Sequence, residues 1–175
     1  DHSYVAVQGP PGTGKTYRAA HIVHALVTSG RRVGITAFSH RAIENVLQKV
    51  VEVFTEKSDL GKLQGVRVKK TGSKRKIDGF KNAEGSAVAA QPKFNVVAGT
   101  TWLFSNEKMR DAPVDVLLID EAGQLALADA LAASTAAYNV ILLGDPLQLP
   151  QVKQAAHPGG GGVSALEHIL GDHVT

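Results

Sequence analysis

This sequence predicts one α/β domain with a mostly parallel sheet flanked by helices, on three observations. Short apolar runs rich in Val, Leu and Ile alternate with segments whose apolar residues recur at helical spacing. A glycine-rich loop stands between the first apolar run and the first helical segment, as in domains that hold phosphates at a helix N-terminus. At 175 residues and 43% hydrophobic, the chain is long enough for one core burying roughly two-thirds of its unfolded surface, with little room for two.

Taken in order, residues 4–8 read as a buried strand ended by Gly9-Pro10-Pro11-Gly12. A helix is expected over 15–28, stopping at Ser29-Gly30 with Gly30 as its C-cap. Residues 32–37 read as a second strand. Ser39 then stands at an N-cap position before a helix carrying Ile43, Val46, Leu47, Val50, Val51 and Phe54 on one face. Residues 66–69 suggest a short strand. Residues 70–91, rich in Lys, Gly, Ser and Ala without periodicity, read as a long mobile loop. Strands are expected at 94–98, 114–119 and 140–143, with an Ala/Leu-rich helix over 127–136 and a short helix over 164–170 after the glycines at 159–162. No repeat is present, and the lack of a closing element at Thr175 suggests a fragment of something longer.

The absence of cysteine excludes disulfides, thiolate metal sites and cysteine nucleophiles. No apolar run approaches 18 residues, and no signal-peptide core opens the chain, so a cytoplasmic protein away from membranes is expected. The net charge of +3 is unevenly spread: ten Lys/Arg face three Asp/Glu between Lys57 and Lys93, while the remainder is acidic. Such a basic insertion (about 57–93) can meet an anionic polymer, single-stranded nucleic acid in particular, through its phosphates. A solvated basic loop is the plain alternative.

Gly9, Pro10, Pro11, Gly12, Thr13, Gly14, Lys15 and Thr16 fit the phosphate-loop pattern, with strand before and helix after. Gly12 and Gly14 let the backbone aim N–H groups at phosphate oxygens, Lys15 supplies a cation for the β- and γ-phosphates, and Thr16 offers a hydroxyl to Mg2+. A dinucleotide-binding reading fails because Tyr17 stands where a third glycine is needed. The run Val116–Ile119 leads into Asp120 and Glu121. Asp120 suits Mg2+ and Glu121 suits the base that activates water. A third run ends in Gly144-Asp145-Pro146-Leu147-Gln148, placing Gln148 where it can sense a γ-phosphate or the attacking water.

GPPGTGKT at 9–16, TAFSHRAIENVL at 36–47, VVAGTTWLF at 96–104, LLIDEAGQL at 117–125 and ILLGDPLQLPQV at 141–152 resemble motifs I, Ia, Ic, II and III of superfamily 1 helicases. The branch they resemble holds the nonsense-mediated-decay helicase and its DNA-replication relatives. The resemblance covers residues 4–170 and implies a P-loop NTPase fold, the first of two RecA-like domains, spanning 1–175. It implies ATP and Mg2+ as cofactors, with Lys15, Glu121 and Gln148 acting in catalysis and Thr16 and Asp120 at the metal. Ser39, His40 and Asn45 in motif Ia, with Thr100 and Thr101 in motif Ic, stand at positions resembling nucleic-acid backbone contacts, with DNA favoured over RNA. N-caps and strand-end polar residues are their plain reading. The family's upstream glutamine motif and second RecA-like domain are not in the sequence. The glycine run and SALEHIL at 164–170 resemble bacterial chains that join the helicase to a RecB-like nuclease, so a nuclease domain is an expected partner.

Two alternatives stay open. An AAA-type ATPase also uses GPPGTGKT, but it needs a polar sensor where Gly144-Asp145 stands. A nucleotide-dependent binding module without hydrolysis is disfavoured by Glu121 and Gln148. His21 and His24 lack partner ligands for a metal. Trp102 is expected to pack on the sheet, with base stacking as the alternative.

Overall fold

The computed structural model describes residues 3–9, 12, 14–69, 75–145 and 164–170. The chain runs through β1 (Ser3–Gln8), α1 (Lys15–Thr28), β2 (Val33–Ala37), α2 (His40–Glu56), a 3-10 turn (Leu60–Lys62), β3 (Gly65–Val68), β4 (Phe80–Ala83) and α3 (Ser86–Ala89). It continues through β5 (Val96–Ala98), α4 (Thr101–Phe104), α5 (Glu107–Asp111), β6 (Val114–Asp120), α6 (Leu127–Ser134), β7 (Ala137–Gly144) and α7 (Ala165–Leu170). The strands form one sheet in the order β1-β7-β6-β2-β5-β3-β4, and every pairing is parallel. Parallel strands send all their C-terminal loops to one edge, where ligands of open α/β sheets bind.

Strands β2 and β5 and most of β6 are buried on both faces, which is why they read as continuous apolar runs. Strand β1, expected to be buried, is instead an edge strand with Tyr4 63% and Val5 55% exposed. On β6, Leu118 packs into the layer of α1 and α2 with Val23, Val46, Val50 and Phe54. Its neighbours Leu117 and Ile119 point the other way, into a layer with Phe104, Met109, Leu142 and Leu166. Helix α2 buries the stripe anticipated from its spacing, except that Val51 is only partly buried. The Ser39 hydroxyl caps the helix by accepting from the Ala42 N–H at 3.1 Å.

The structure corrects the loop expected over 70–91. Strand β4 and helix α3 lie within it, and β4 pairs with β3 from Gly65↔Phe80 to Val68↔Ala83. This edge buries Phe80 and Ala83 in the apolar cores and carries an ionic network around Arg67. The Arg67 side chain is 2% exposed; its guanidinium meets Glu44 of α2 at 2.5 Å and donates to Asn82 Oδ1 at 3.2 Å and the Arg75 carbonyl at 2.8 Å. Arg75 reaches the other Glu44 oxygen at 2.9 Å, and Asn82 donates to the Arg75 carbonyl at 3.0 Å. Helices α4 and α5 were also unforeseen, and β7 begins three residues before its expected start. The glycines at 159–162 lie outside the described residues.

Candidate nucleotide site

The loop after β1 starts beside β7, where Gly9 N–H donates to the Gly144 carbonyl at 3.2 Å. Gly12 (φ 82°) and Gly14 (φ 73°) both take the left-handed conformation, which a side chain would resist. Gly14 is the N-cap of α1, so Lys15 and Thr16 form its first turn, where backbone N–H groups have no partners in the helix. The Lys15 ammonium folds back across the loop and donates to the Gly9 carbonyl. Pro10, Pro11, Thr13 and Gln148 lie outside the described residues.

Asp120 closes β6 and Glu121 follows it, and both line the same cleft as Gly12, Lys15 and Thr16, a space of about 430 Å³. Asp120 is 6% exposed. Its burial pushes its pKa up to about 6; the Glu121 charge adds to the rise, while the Glu121 backbone N–H and the Lys15 charge oppose it. Glu121 takes φ 55°, a left-handed conformation unusual outside glycine. Such strain costs about 1–3 kcal/mol and persists only where surroundings enforce it. Here the Ala122 N–H donates to the Leu143 carbonyl at 2.9 Å, and the Glu121 carbonyl accepts from Gln124 N–H at 2.9 Å. The chain therefore turns sharply after Asp120, so that two adjacent carboxylates share one cleft.

Two lining residues were missed from sequence, Tyr17 and Lys49. Lys49 pairs with Glu52 at 2.5 Å, and that carboxylate holds its ammonium above the ordinary lysine value. An i,i+3 charge pair on the polar face of an amphipathic helix gives no sequence signal beyond a solvated surface.

Further along the same edge stand the residues expected at nucleic acid. Ser39 and His40 leave β2, and Thr100 and Thr101 leave β5, on adjacent strands paired Ile35↔Ala98. Asn45 is exposed on α2. The Ser39 hydroxyl is engaged in its cap, as the plain reading holds, whereas the Thr100 side chain makes no cap hydrogen bond. The basic segment is less free than its count implies. Arg67 and Arg75 are tied to Glu44, Lys62 to Asp59 at 2.7 Å, and Lys69 to Glu84 at 3.7 Å. Trp102 does not pack on the sheet: it is 85% exposed.

A family model described as an AAA domain matches residues 1–159. The chain belongs to the AAA domain family. Curated relatives of this AAA domain include "DNA replication ATP-dependent helicase/nuclease JHS1" of Arabidopsis thaliana, 28% identical over 97% of the chain and 13% of the relative. The Saccharomyces cerevisiae protein "DNA replication ATP-dependent helicase/nuclease DNA2" is 28% identical over 90% of the chain and 10% of the relative. The AAA domain thus spans about a tenth of these relatives' length. Among solved structures, an Arterivirus nonstructural protein 10 helicase determined with DNA matches at TM-score 0.58 and 20% identity, over 90% of this chain and 32% of that one. The fold is RecA-like, as in that helicase structure, and the chain is similar to proteins named as helicases, as the order of its motifs leads one to expect. The family's name does not revive the AAA-type alternative, since β7 ends in Gly144 with Asp145 next and the relatives are helicases by name.

Elsewhere the AAA domain reads plainly. His24 Nε2 lies 2.8 Å from Asp59 Oδ2, and its ring meets Phe54 edge-on, so this histidine is a satisfied packing residue. Among the described residues, no group of three His, Asp or Glu side chains could hold a metal by itself, and no helix is long and apolar enough to cross a membrane.

Proposed function

We propose that this domain binds and hydrolyses ATP as the first RecA-like half of a nucleic-acid motor. One observation carries the reading: two motifs more than a hundred residues apart in sequence place Lys15, Thr16, Asp120 and Glu121 on one cleft. Gly12 and Gly14 shape the loop whose N–H groups, with the N-terminus of α1, receive the phosphates. Lys15, now on the Gly9 carbonyl, would exchange that partner for β- and γ-phosphate oxygens. Pro10, Pro11 and Thr13 complete the loop in sequence.

Thr16 and Asp120 suit Mg2+, since they are oxygen donors and a carboxylate this buried is best ionised beside a cation. Bound there, Mg2+ neutralises charge on the phosphates. Glu121 then orients and deprotonates the attacking water, its position set by the turn that its backbone makes. Gln148, outside the described residues, is assigned the role of γ-phosphate sensor from its motif. A second RecA-like domain would supply the remaining charge stabilisation, and a nuclease domain in the same parent chain is consistent with the relatives' names. Single-stranded nucleic acid, DNA in the first instance, would lie along Ser39, His40, Asn45, Thr100 and Thr101.

Glu121→Gln in the full-length protein tests the assignment. The variant is expected to keep binding ATP and to lose nucleic-acid-stimulated hydrolysis; a variant that still turns over would move the base elsewhere.

A further inference from the structure

We propose that Trp102 stacks on a base of the bound single strand, with Phe38 as its neighbour, forming an aromatic platform on the sheet edge beside the ATP cleft. This rests on the nucleic-acid reading above and adds the group that would grip bases rather than phosphates.

Trp102 is the most exposed large apolar side chain among the described residues, and its exposure is built in. The next two residues of α4, Leu103 and Phe104, are buried. The turn is fastened by Leu103 N–H on the Thr100 carbonyl at 2.9 Å, Ser105 N–H on the Thr101 carbonyl at 2.9 Å, and the Ser105 hydroxyl on that same carbonyl at 2.9 Å. An anchored turn thus holds an indole in water. Phe38, 37% exposed, stands between buried Ala37 and the helix cap Ser39.

The two aromatics leave adjacent strands. Ile35 is in register with Ala98, and Gly99 N–H donates to the Ile35 carbonyl at 3.1 Å. Phe38 follows Ile35 by three residues and Trp102 follows Ala98 by four. Neighbouring strands run about 4.8 Å apart, so the two residues follow the ends of adjacent strands on one short stretch of edge.

A lone exposed aromatic is ordinary; its company is what selects the occupant. Around Trp102 and Phe38 the sequence places Ser39, His40, Arg41, Thr100 and Thr101. The nearest carboxylates in sequence are Glu44, paired with Arg67 and Arg75, and Glu107 at the start of α5. An apolar protein partner would need contiguous apolar surface, and these neighbours are polar. Aromatic faces beside hydroxyls and cations match a strand that presents flat bases on one side and phosphates on the other.

Trp102 is the chain's single tryptophan, so intrinsic fluorescence reports this residue alone. The chain is titrated with short oligo(dT) and with an abasic oligonucleotide of equal length, while labelled oligo(dT) measures affinity separately by anisotropy. Oligo(dT) is expected to quench the emission and the abasic strand to leave it unchanged. Trp102→Ala should weaken oligo(dT) binding by about 5- to 150-fold, with Trp102→Phe recovering most of the loss and the salt dependence unaltered. Binding of labelled oligo(dT) with no quenching, equal quenching by the abasic strand, or an unweakened Trp102→Ala would overturn the stacking and leave the phosphate contacts standing. No binding of either strand at low salt would overturn the nucleic-acid reading itself, and the platform with it.

Discussion

Replacing Asp120 with Asn should change the pH dependence of stability of the ligand-free chain in a direction opposite to most carboxylate substitutions. Asp120 is buried, and its carboxyl is pushed up to about 6 from its ordinary 3.8, chiefly because burial penalises the charge. Between those values the folded chain binds a proton that the unfolded chain has released. Stability therefore falls as pH rises through this window. Over about two pH units at about 1.4 kcal/mol each, the folded state forfeits on the order of 3 kcal/mol by neutral pH. The amide introduced by Asp120→Asn does not titrate. It can still accept from the Glu121 N–H, and any fixed cost of burying it is the same at every pH. The quantity to follow is thus the stability difference between variant and wild type, from urea denaturation in EDTA at steps from about pH 4 to pH 7. The variant should gain about 2–2.5 kcal/mol relative to wild type across that range, with the steepest change below pH 6. A flat difference, or a wild type that gains on the variant with rising pH, would show that Asp120 is not a buried, reluctantly ionised carboxyl. With Mg2+ and ATP present the order should reverse at pH 7, because the ligand stabilises only a form that can bind it.

Three other perturbations have defined outcomes. Lys15→Ala should weaken ATP binding by about 1.5–3 kcal/mol, the worth of charge-assisted hydrogen bonds; calorimetry showing equal affinities would remove Lys15 from the phosphate site. Arg67→Met strips Glu44 of its buried partner and should cost about 3–5 kcal/mol in urea denaturation, whereas a loss below about 1 kcal/mol would mean that Arg75 alone satisfies Glu44. Gly144→Ala would put a methyl 2.9 Å from the Gly123 nitrogen, 3.0 Å from Leu166 Cδ2 and 3.2 Å from the Ala122 nitrogen. The resulting overpacking should destabilise the chain by about 1–3 kcal/mol, and a variant as stable as wild type would show that the turn after Glu121 can yield.

What could be read in the sequence divides along a physical line. That Gly12, Gly14, Lys15, Thr16, Asp120 and Glu121 would meet in one cleft was legible because each group stands at or after the end of a strand whose apolar pattern is local, at the same edge of a parallel sheet. The central strands were legible because a two-sided parallel sheet writes continuous apolar runs, whereas the apolar run of β1 does not tell that it lies exposed at the sheet's edge. The opposite edge was not legible. Strand β4 reads Phe-Lys-Asn-Ala, a pattern that favours no element. It pairs with β3 through contacts distant in sequence: Phe80 and Ala83 are buried, and Asn82 and Arg67 meet over the Arg75 carbonyl while Glu44, 23 residues before Arg67, closes the network from α2. Helices α4 and α5 are four and five residues long, too short for periodicity to show. Trp102 failed differently: an indole beside Leu103 and Phe104 looks like core, and only the direction of a four-residue helix decides which of the three faces water. The same limit applies to charge. Counting lysines and arginines between 57 and 93 locates a basic segment, but which of them remain to meet an anion depends on carboxylates at Glu44, Asp59 and Glu84, two of which lie within the segment and one well before it. A basic segment is therefore an upper bound on what phosphates can find, and the proposed aromatic pair at the neighbouring strand ends would carry the part of the grip that pairing with carboxylates cannot remove.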